Sequence, residues 1–388
     1  MNNTVLIINE YYSSGGAEVF FHNLIKIFQK KKYKVFGLVL NPKNYTNNDC
    51  VYLIDCSGYC NKTFFNYLLF KKIRAFISTI NPDFIIVNNV FSGYSTVYRS
   101  LKGYKVYQVV HDYKIICPNG KSNYLFNDCV CSGYKFSKCI RCEGYKNYLK
   151  MFVRYVIMKK CESIRKREGF VLISPSKKLQ LELKDKGYES FVLNNPIFDS
   201  NTNTNHIPYC KKTIEFLYVG LLCDEKGIFD LIRFFKKYNV GNLTIIGGAK
   251  HTEDKFNIEK LIGNDDRFTW LGKLAYRKTI EYISQARFLI VPSKWVENYP
   301  TTVLEAMMQK TMVIGSNRGG IPEMLEDGRG FVFDFNNFDS LKFVIDTALS
   351  ITSYQYEEIV TNAYKYVSSN NSYSNYYNEF FKITKNLK

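Results

Sequence analysis

Residues 290–325 read IVPSKWVENYPTTVLEAMMQKTMVIGSNRGGIPEML, and this stretch carries most of the reading of the chain. The apolar run 288–291 (FLIV) predicts a buried strand, and Pro300 opens a helix well because the N–H it lacks is one the first turn leaves unpaired anyway. Val303, Ala306 and Met307 recur at spacings of three and four, which sets them on one face of a helix continuing through Met308. Two carboxylates stand eight positions apart, Glu297 before that helix and Glu305 inside it, so both overlook one crevice. The free amides of residues 298–302 lie at the positive end of the helix dipole and favour an anionic or oxygen-rich ligand by very roughly 1 kcal/mol. A polyol carried on a phosphate suits that crevice.

Strand-like runs also occur at 4–9 (TVLIIN), 35–40, 51–54, 84–88, 106–110 and 170–173, with helical segments between several of them. Further runs follow at 214–219, 243–246, 267–271 and 287–291, where the sheet is expected to end. Such alternation predicts doubly wound parallel sheets, an α/β chain. The polar run 199–206 (DSNTNTNH) after Pro196 is the clearest linker, which divides the chain into a domain over 1–195, a linker over 196–212, a second domain over 213–372 and a closing helix over 373–388. Tyr376, Tyr377, Phe380, Phe381 and Ile383 form the apolar face of that last helix. Near the start, Gly15 and Gly16 let a ligand approach the backbone ahead of a helix with Val19, Phe20, Leu24, Ile27 and Phe28 inward. His111 and Asp112 close the run 106–110, at the strand end where such sheets place their ligands; on position alone a histidine there is more often structural than catalytic.

With 388 residues, 46% hydrophobic and 23% charged, the chain suffices for two domains with proper cores. No apolar run approaches the roughly 18 residues of a membrane span, and a strand rather than a signal peptide opens the sequence, so a cytoplasmic location is expected. The net charge of +18 is concentrated in residues 1–200, which hold 30 Lys and Arg against 14 Asp and Glu. A basic face serves nucleic acid, anionic lipid or an acidic substrate, and charge alone does not choose. A basic helix over about 148–167 is consistent with docking on an anionic membrane and equally with a packed helix whose basic side is solvated. Of eleven cysteines, five fall in residues 114–145: Cys117, Cys129, Cys131, Cys139 and Cys142. The gap between Cys139 and Cys142 is that of many zinc ligands, whereas Cys129 and Cys131 are closer than usual and no histidine lies nearby. Structural zinc on Cys129, Cys131, Cys139 and Cys142, an ordered insertion of reduced thiols, and redox regulation all remain open.

The stretch 292–323, PSKWVENYPTTVLEAMMQKTMVIGSNRGGIPE, resembles the donor-binding signature of retaining glycosyltransferases of family four, the glycosyl transferases group 1, with the GT-B fold of two Rossmann-like domains facing across a cleft. The resemblance implies that Glu297 contacts the donor-sugar hydroxyls and Glu305 the nucleotide ribose, with Asn298, Tyr299 and Thr302 in the same donor site. It implies that Gly15 and Gly16 close over the donor diphosphate, that His111 lies beside the donor sugar and shares the catalytic role with Glu297, and that Lys226 clamps the diphosphate. In the family an arginine follows the first glycine of the 220–227 loop; here that position is Leu221, and a bidentate phosphate partner is lost. The closing helix is implied to cross back onto the first domain.

The implied activity is retaining transfer, without metal or cofactor, from a UDP- or GDP-linked sugar to a glycan. The acceptor would sit on the basic first domain and be a lipid-linked oligosaccharide of bacterial surface polysaccharide synthesis (capsule, O-antigen or exopolysaccharide), which places the enzyme peripherally at the inner face of the plasma membrane. One rival is a catalytically silent relative that binds a nucleotide sugar or a partner enzyme, motivated by Leu221. The other is a nucleic-acid binder using the basic, tyrosine-rich first half; it leaves Glu297 and Glu305 unexplained, and no nucleic acid is expected.

Overall fold

The computed structural model describes residues 3–12, 15–41, 50–55, 65–90, 94–118, 139, 148–197 and 206–385. The chain forms two compact units, Met1–Pro196 together with Tyr376–Lys388, and Ile197–Asn375. Most of the polar run 199–206 lies outside the described residues, as do Cys129, Cys131 and Cys142.

The first unit is built on β1 (Thr4–Tyr11), β2 (Lys34–Asn41), β3 (Val51–Leu53), β4 (Phe84–Asn89), β5 (Val106–Val109), β6 (Val171–Ser174) and β7 (Ser190–Val192). They pair in parallel in the order β3-β2-β1-β4-β5-β6-β7. Val5, Leu6, Ile7 and Ile8 are all fully buried, as expected of a central strand covered by helices on both faces. The helix Gly16–Lys30 covers one face with Phe20, Phe21, Leu24, Ile25, Ile27 and Phe28. Val19, expected inward, is 45% exposed, and Phe21 and Ile25 complete the buried stripe.

The second unit repeats the plan with β8 (Ile214–Val219), β9 (Leu243–Ile246), β10 (Phe268–Trp270), β11 (Ala286–Val291), β12 (Met312–Ser316) and β13 (Phe331–Phe333). Their order is β10-β9-β8-β11-β12-β13, again parallel throughout. The sheet therefore does not end at β11: β12 and β13 extend it, the first interrupted by a glycine and the second only three residues long, so neither gives a strong strand pattern. In each sheet the strand order reverses beside the first strand of the unit, between β1 and β4 and between β8 and β11. Connections leave in opposite directions at such a point and open a crevice beyond the carboxyl ends of the strands.

The helix Tyr373–Lys385 begins at the end of the second unit and continues into the first. Its Phe380 ring is fully buried, 5.7 Å from Phe28, 5.6 Å from Phe84 and 4.9 Å from Tyr107.

Candidate active site

In the first unit the pairing of β1 with β4 slips at its carboxyl end: Ile8 faces Val87 but Asn9 faces Asn89, which leaves Asn88 as the extra residue of a bulge. The bulge aims the buried Asn88 side chain across the switch point. Its Nδ2 donates to Ala17 O at 2.8 Å and to Asn9 Oδ1 at 3.0 Å, and its Oδ1 lies 2.6 Å from His111 Nε2. Because the Ala17 carbonyl can only accept, the amide is oriented, and His111 must carry its proton on Nε2. Burial pushes the His111 pKa down to about 4, against the smaller upward pull of Asp112. The imidazole is thus neutral near pH 7, with Nδ1 as its acceptor, and Phe20 packs edge-on against it at 4.9 Å. Asp112 is occupied locally, accepting from Lys114 N at 2.9 Å and pairing with Lys114 Nζ at 2.7 Å.

Gly15 is the N-cap residue of the helix Gly16–Lys30, and Asn88 joins that helix's first turn to His111. Gly15, Gly16 and His111 are therefore brought together at one strand-end crevice of the first unit. Asn88 was not among the residues singled out from the sequence, because an Asn-Asn pair ending an apolar run reads as an ordinary strand exit and a bulge has no composition signal.

In the second unit the loop after β8 and the loop after β11 hold each other. Glu225 O accepts from Lys294 N at 3.1 Å and from Trp295 N at 2.9 Å, and Lys294 Nζ lies 2.7 Å from Asp224 and 2.5 Å from Asp230. Gly227, at φ 73, sits so close to Pro292 that a Cβ would lie 1.8 Å from the Pro292 carbonyl oxygen. This contact lets Lys226 form an ion pair with Glu297. Ser293 Oγ donates to the same Glu297 oxygen at 2.9 Å, and Ser316 Oγ on β12 holds the Ser293 carbonyl at 2.8 Å. From the other side Gly320 N donates to Glu297 O at 2.6 Å, and a Cβ on Gly319 would lie 2.0 Å from that oxygen. Glu297 is held at backbone and side chain alike.

Pro300 is the N-cap, with the helix running Thr301–Met308, so the proline stands one position earlier than a first helical residue. Val303, Ala306 and Met307 are fully buried as the spacing predicts, and Leu304 joins them. Asn298 is buried and Thr302 half-buried. The Tyr299 side chain is packed inside the unit, its hydroxyl 3.3 Å from that of Tyr366 and 3.4 Å from Asn371 Nδ2. Burial raises the Glu305 pKa to about 8, so this acid is largely protonated near neutrality while its neighbour Glu297 is ion-paired.

Leu221 is 43% exposed and offers no cation. Lys250, not singled out from the sequence, pairs with Glu225 of the same loop at 3.1 Å and brings a second ammonium to it. Among the described residues no group of three or more His, Cys, Asp or Glu is placed to hold a metal. Of the zinc candidates, Cys139 is described and buried; Cys129, Cys131 and Cys142 are not described.

Two doubly wound parallel sheets, with polar loops gathered at each switch point, define the chain as an α/β protein of the GT-B class. Residues 201–366 match the family described as Glycosyl transferases group 1, and the second unit belongs to that family. An uncharacterized 42.6 kDa protein in the cps region of Klebsiella pneumoniae is 23% identical over 356 residues, covering 88% of this chain and 84% of the relative. Among solved structures, sucrose-phosphate synthase from Thermosynechococcus elongatus superposes with a TM-score of 0.72 at 16% identity, covering 99% of both chains. Anabaena HepE in complex with UDP and glucose does so with a TM-score of 0.70 at 15% identity, again over 99% of both.

Proposed function

We propose that the protein is a retaining glycosyltransferase that takes a sugar from a nucleoside diphosphate and adds it to a glycan acceptor. The observation that carries this reading is the Lys226–Glu297 pair, held by Ser293 inside a group 1 domain. A nucleoside diphosphate sugar offers each member a replacement partner: phosphate oxygens for the ammonium, sugar hydroxyls for the carboxylate. Cleavage of the glycosyl phosphate bond builds negative charge on the departing diphosphate, and Lys226, the amides ahead of Thr301 and, in place of an arginine at position 221, Lys250 oppose it. This charge stabilisation does not call on a divalent cation. Glu305, protonated, both donates to and accepts from a ribose diol. The neutral His111 positions the donor sugar through Nδ1, while the departing phosphate takes the acceptor proton and attack occurs from the same face.

Support for a uridine nucleotide is the UDP held by HepE, and support for surface polysaccharide as the product is the cps-region relative. A lipid-linked acceptor fits the basic helix Tyr148–Arg167, where Leu149 (75% exposed) and Phe152 (46%) stand among Lys150, Lys159 and Lys160. No helix among the described residues is long and apolar enough to cross a membrane, so attachment would be peripheral.

The test is donor hydrolysis. Purified protein is incubated with a panel of UDP- and GDP-sugars and release of free nucleoside diphosphate is followed beside Glu297→Ala. Release from one donor, lost in the variant, is the expected result. Donor binding without release, with or without an added glycan, would instead favour the silent relative that exposed Leu221 suggests.

A further inference from the structure

The crevice beside His111 continues into a cavity of about 340 Å³ within the first unit, a volume in the range of small-ligand sites. One wall is the helix Tyr148–Arg167, whose Arg154, Met158, Cys161 and Arg165 line it; opposite stand Gln108 on β5 and Tyr98. Arg165 is the anomaly here. It is only 6% exposed, and its Nε and Nη2 have no hydrogen-bond partner. No ion pair to it is present among the described residues, and Glu162, one turn earlier, is taken by Lys159 and Lys166 at 2.9 and 2.8 Å. Its close neighbours are two neutral tyrosines, Tyr98 and Tyr188, whose rings lie 5.8 and 6.0 Å from the guanidinium carbon and whose hydroxyls hydrogen-bond to it without supplying a charge.

Enclosing a guanidinium without a counter-charge is costly, and the negative end of its own helix offsets only a small part of that cost. An arginine required only for packing has a cheaper isostere in methionine. Across the cavity Gln108 donates through Nε2 to the Tyr98 hydroxyl at 2.9 Å, while its buried Oε1 has no donor. Among the described residues the cavity thus lacks two things: an oxyanion for a planar fork and a hydroxyl for an amide oxygen. A sugar bearing a charged substituent supplies both.

We propose that this cavity is the acceptor subsite and that it selects an acceptor carrying an oxyanion, a phosphate or a carboxylate, bound to Arg165 and anchored by a ring hydroxyl to Gln108. The subsite rests on the glycosyltransferase reading for its role but not for its chemistry. It also gives the basic helix a second use, since the face opposite its exposed apolar residues reads the acceptor.

The test is a thermal-shift titration of the full chain with glucose 1-phosphate, glucuronate and, as a neutral control, glucose. The titrations are repeated on Arg165→Met and on Arg165→Lys, which keeps a charge but not the fork. Either anion or both should stabilise the wild type saturably while glucose does not, the responding anion identifying the substituent. Arg165→Met should weaken that binding ~10–100-fold, the size of a charged hydrogen-bonded contact, with Arg165→Lys in between. UDP and GDP shifts should persist in both variants. No anion-dependent shift in the wild type overturns the proposal whatever the variants do, and so does an equal shift in a folded Arg165→Met, which would place the anion at Lys226 instead. Arg165-dependent binding without any response to nucleotides would leave the subsite standing and remove the transferase reading; nucleotide binding without it would do the reverse.

Discussion

Glu305 is the residue whose charge state departs furthest from what its type suggests. An exposed glutamate loses its proton near 4.5, whereas burial holds this one until about pH 8. The unfolded chain therefore releases a proton that the folded chain retains, and folding stability contributed by this group declines as pH rises from about 4.5 to about 8. Glu305→Gln copies the protonated form and escapes that decline. Its melting temperature should match the wild type near pH 5 and exceed it by several degrees at pH 8.5; a constant difference across that range would show that the site is not titrating. His111 pulls the other way and lower: with a folded pKa of about 4 against 6.5 unfolded, its contribution is complete above 6.5 and is lost as pH falls towards 4. His111→Gln should therefore flatten the acid side of the stability profile between pH 4 and 6.5.

At the scale of elements, the glycine turn after β12 and the loop after β11 act as one part. Gly319 has φ 60 and its missing Cβ is the space occupied by the Glu297 carbonyl, while Gly328 has φ 70 with only the Asn362 side chain nearby, at 3.8 Å. Alanine at either position carries the same backbone strain, of order 1 kcal/mol, but only Gly319→Ala displaces Glu297. Both variants should lose comparable strain energy in urea titrations, with Gly319→Ala destabilised further and losing at least tenfold in nucleotide affinity. Equal nucleotide affinities in the two would separate the turn from the site.

This pairing also shows what was legible beforehand. Strands such as β8 and β9 and the helix from Ile228 follow directly from apolar runs and turn residues, and Glu297, Lys226 and His111 from a resemblance concentrated in short motifs. Asn88 and Lys250 were not legible as site residues, because a bulge register and a pair between loops are set by tertiary placement. Arg165 was hidden differently: inside a basic helix one more arginine reads as solvated charge until the packing turns it inward.

Across the whole molecule, the first unit is completed by residues from the far end of the sequence. Tyr376, Phe380 and Ile383 are each at least 91% buried, and at about 1.5–3 kcal/mol for each such side chain their loss is comparable to the entire stability of a domain. A chain ending at Asn375 should therefore show an early urea transition reported by the first unit, with dye-binding apolar surface around Phe28 and Phe84, while the second unit unfolds at its usual midpoint. An unchanged single transition would mean that the terminal helix is only accessory.

Protein synthesis meets the same arrangement in time. The first unit leaves the ribosome with an unfilled aromatic groove and must wait while residues from Ile197 to Asn375 are made, on the order of 10 s or longer at about 5–20 residues per second. The second unit, continuous in sequence, can finish before the first. The half of the chain translated first is thus the half that matures last, and in the interval its groove is the surface a chaperone has to shield.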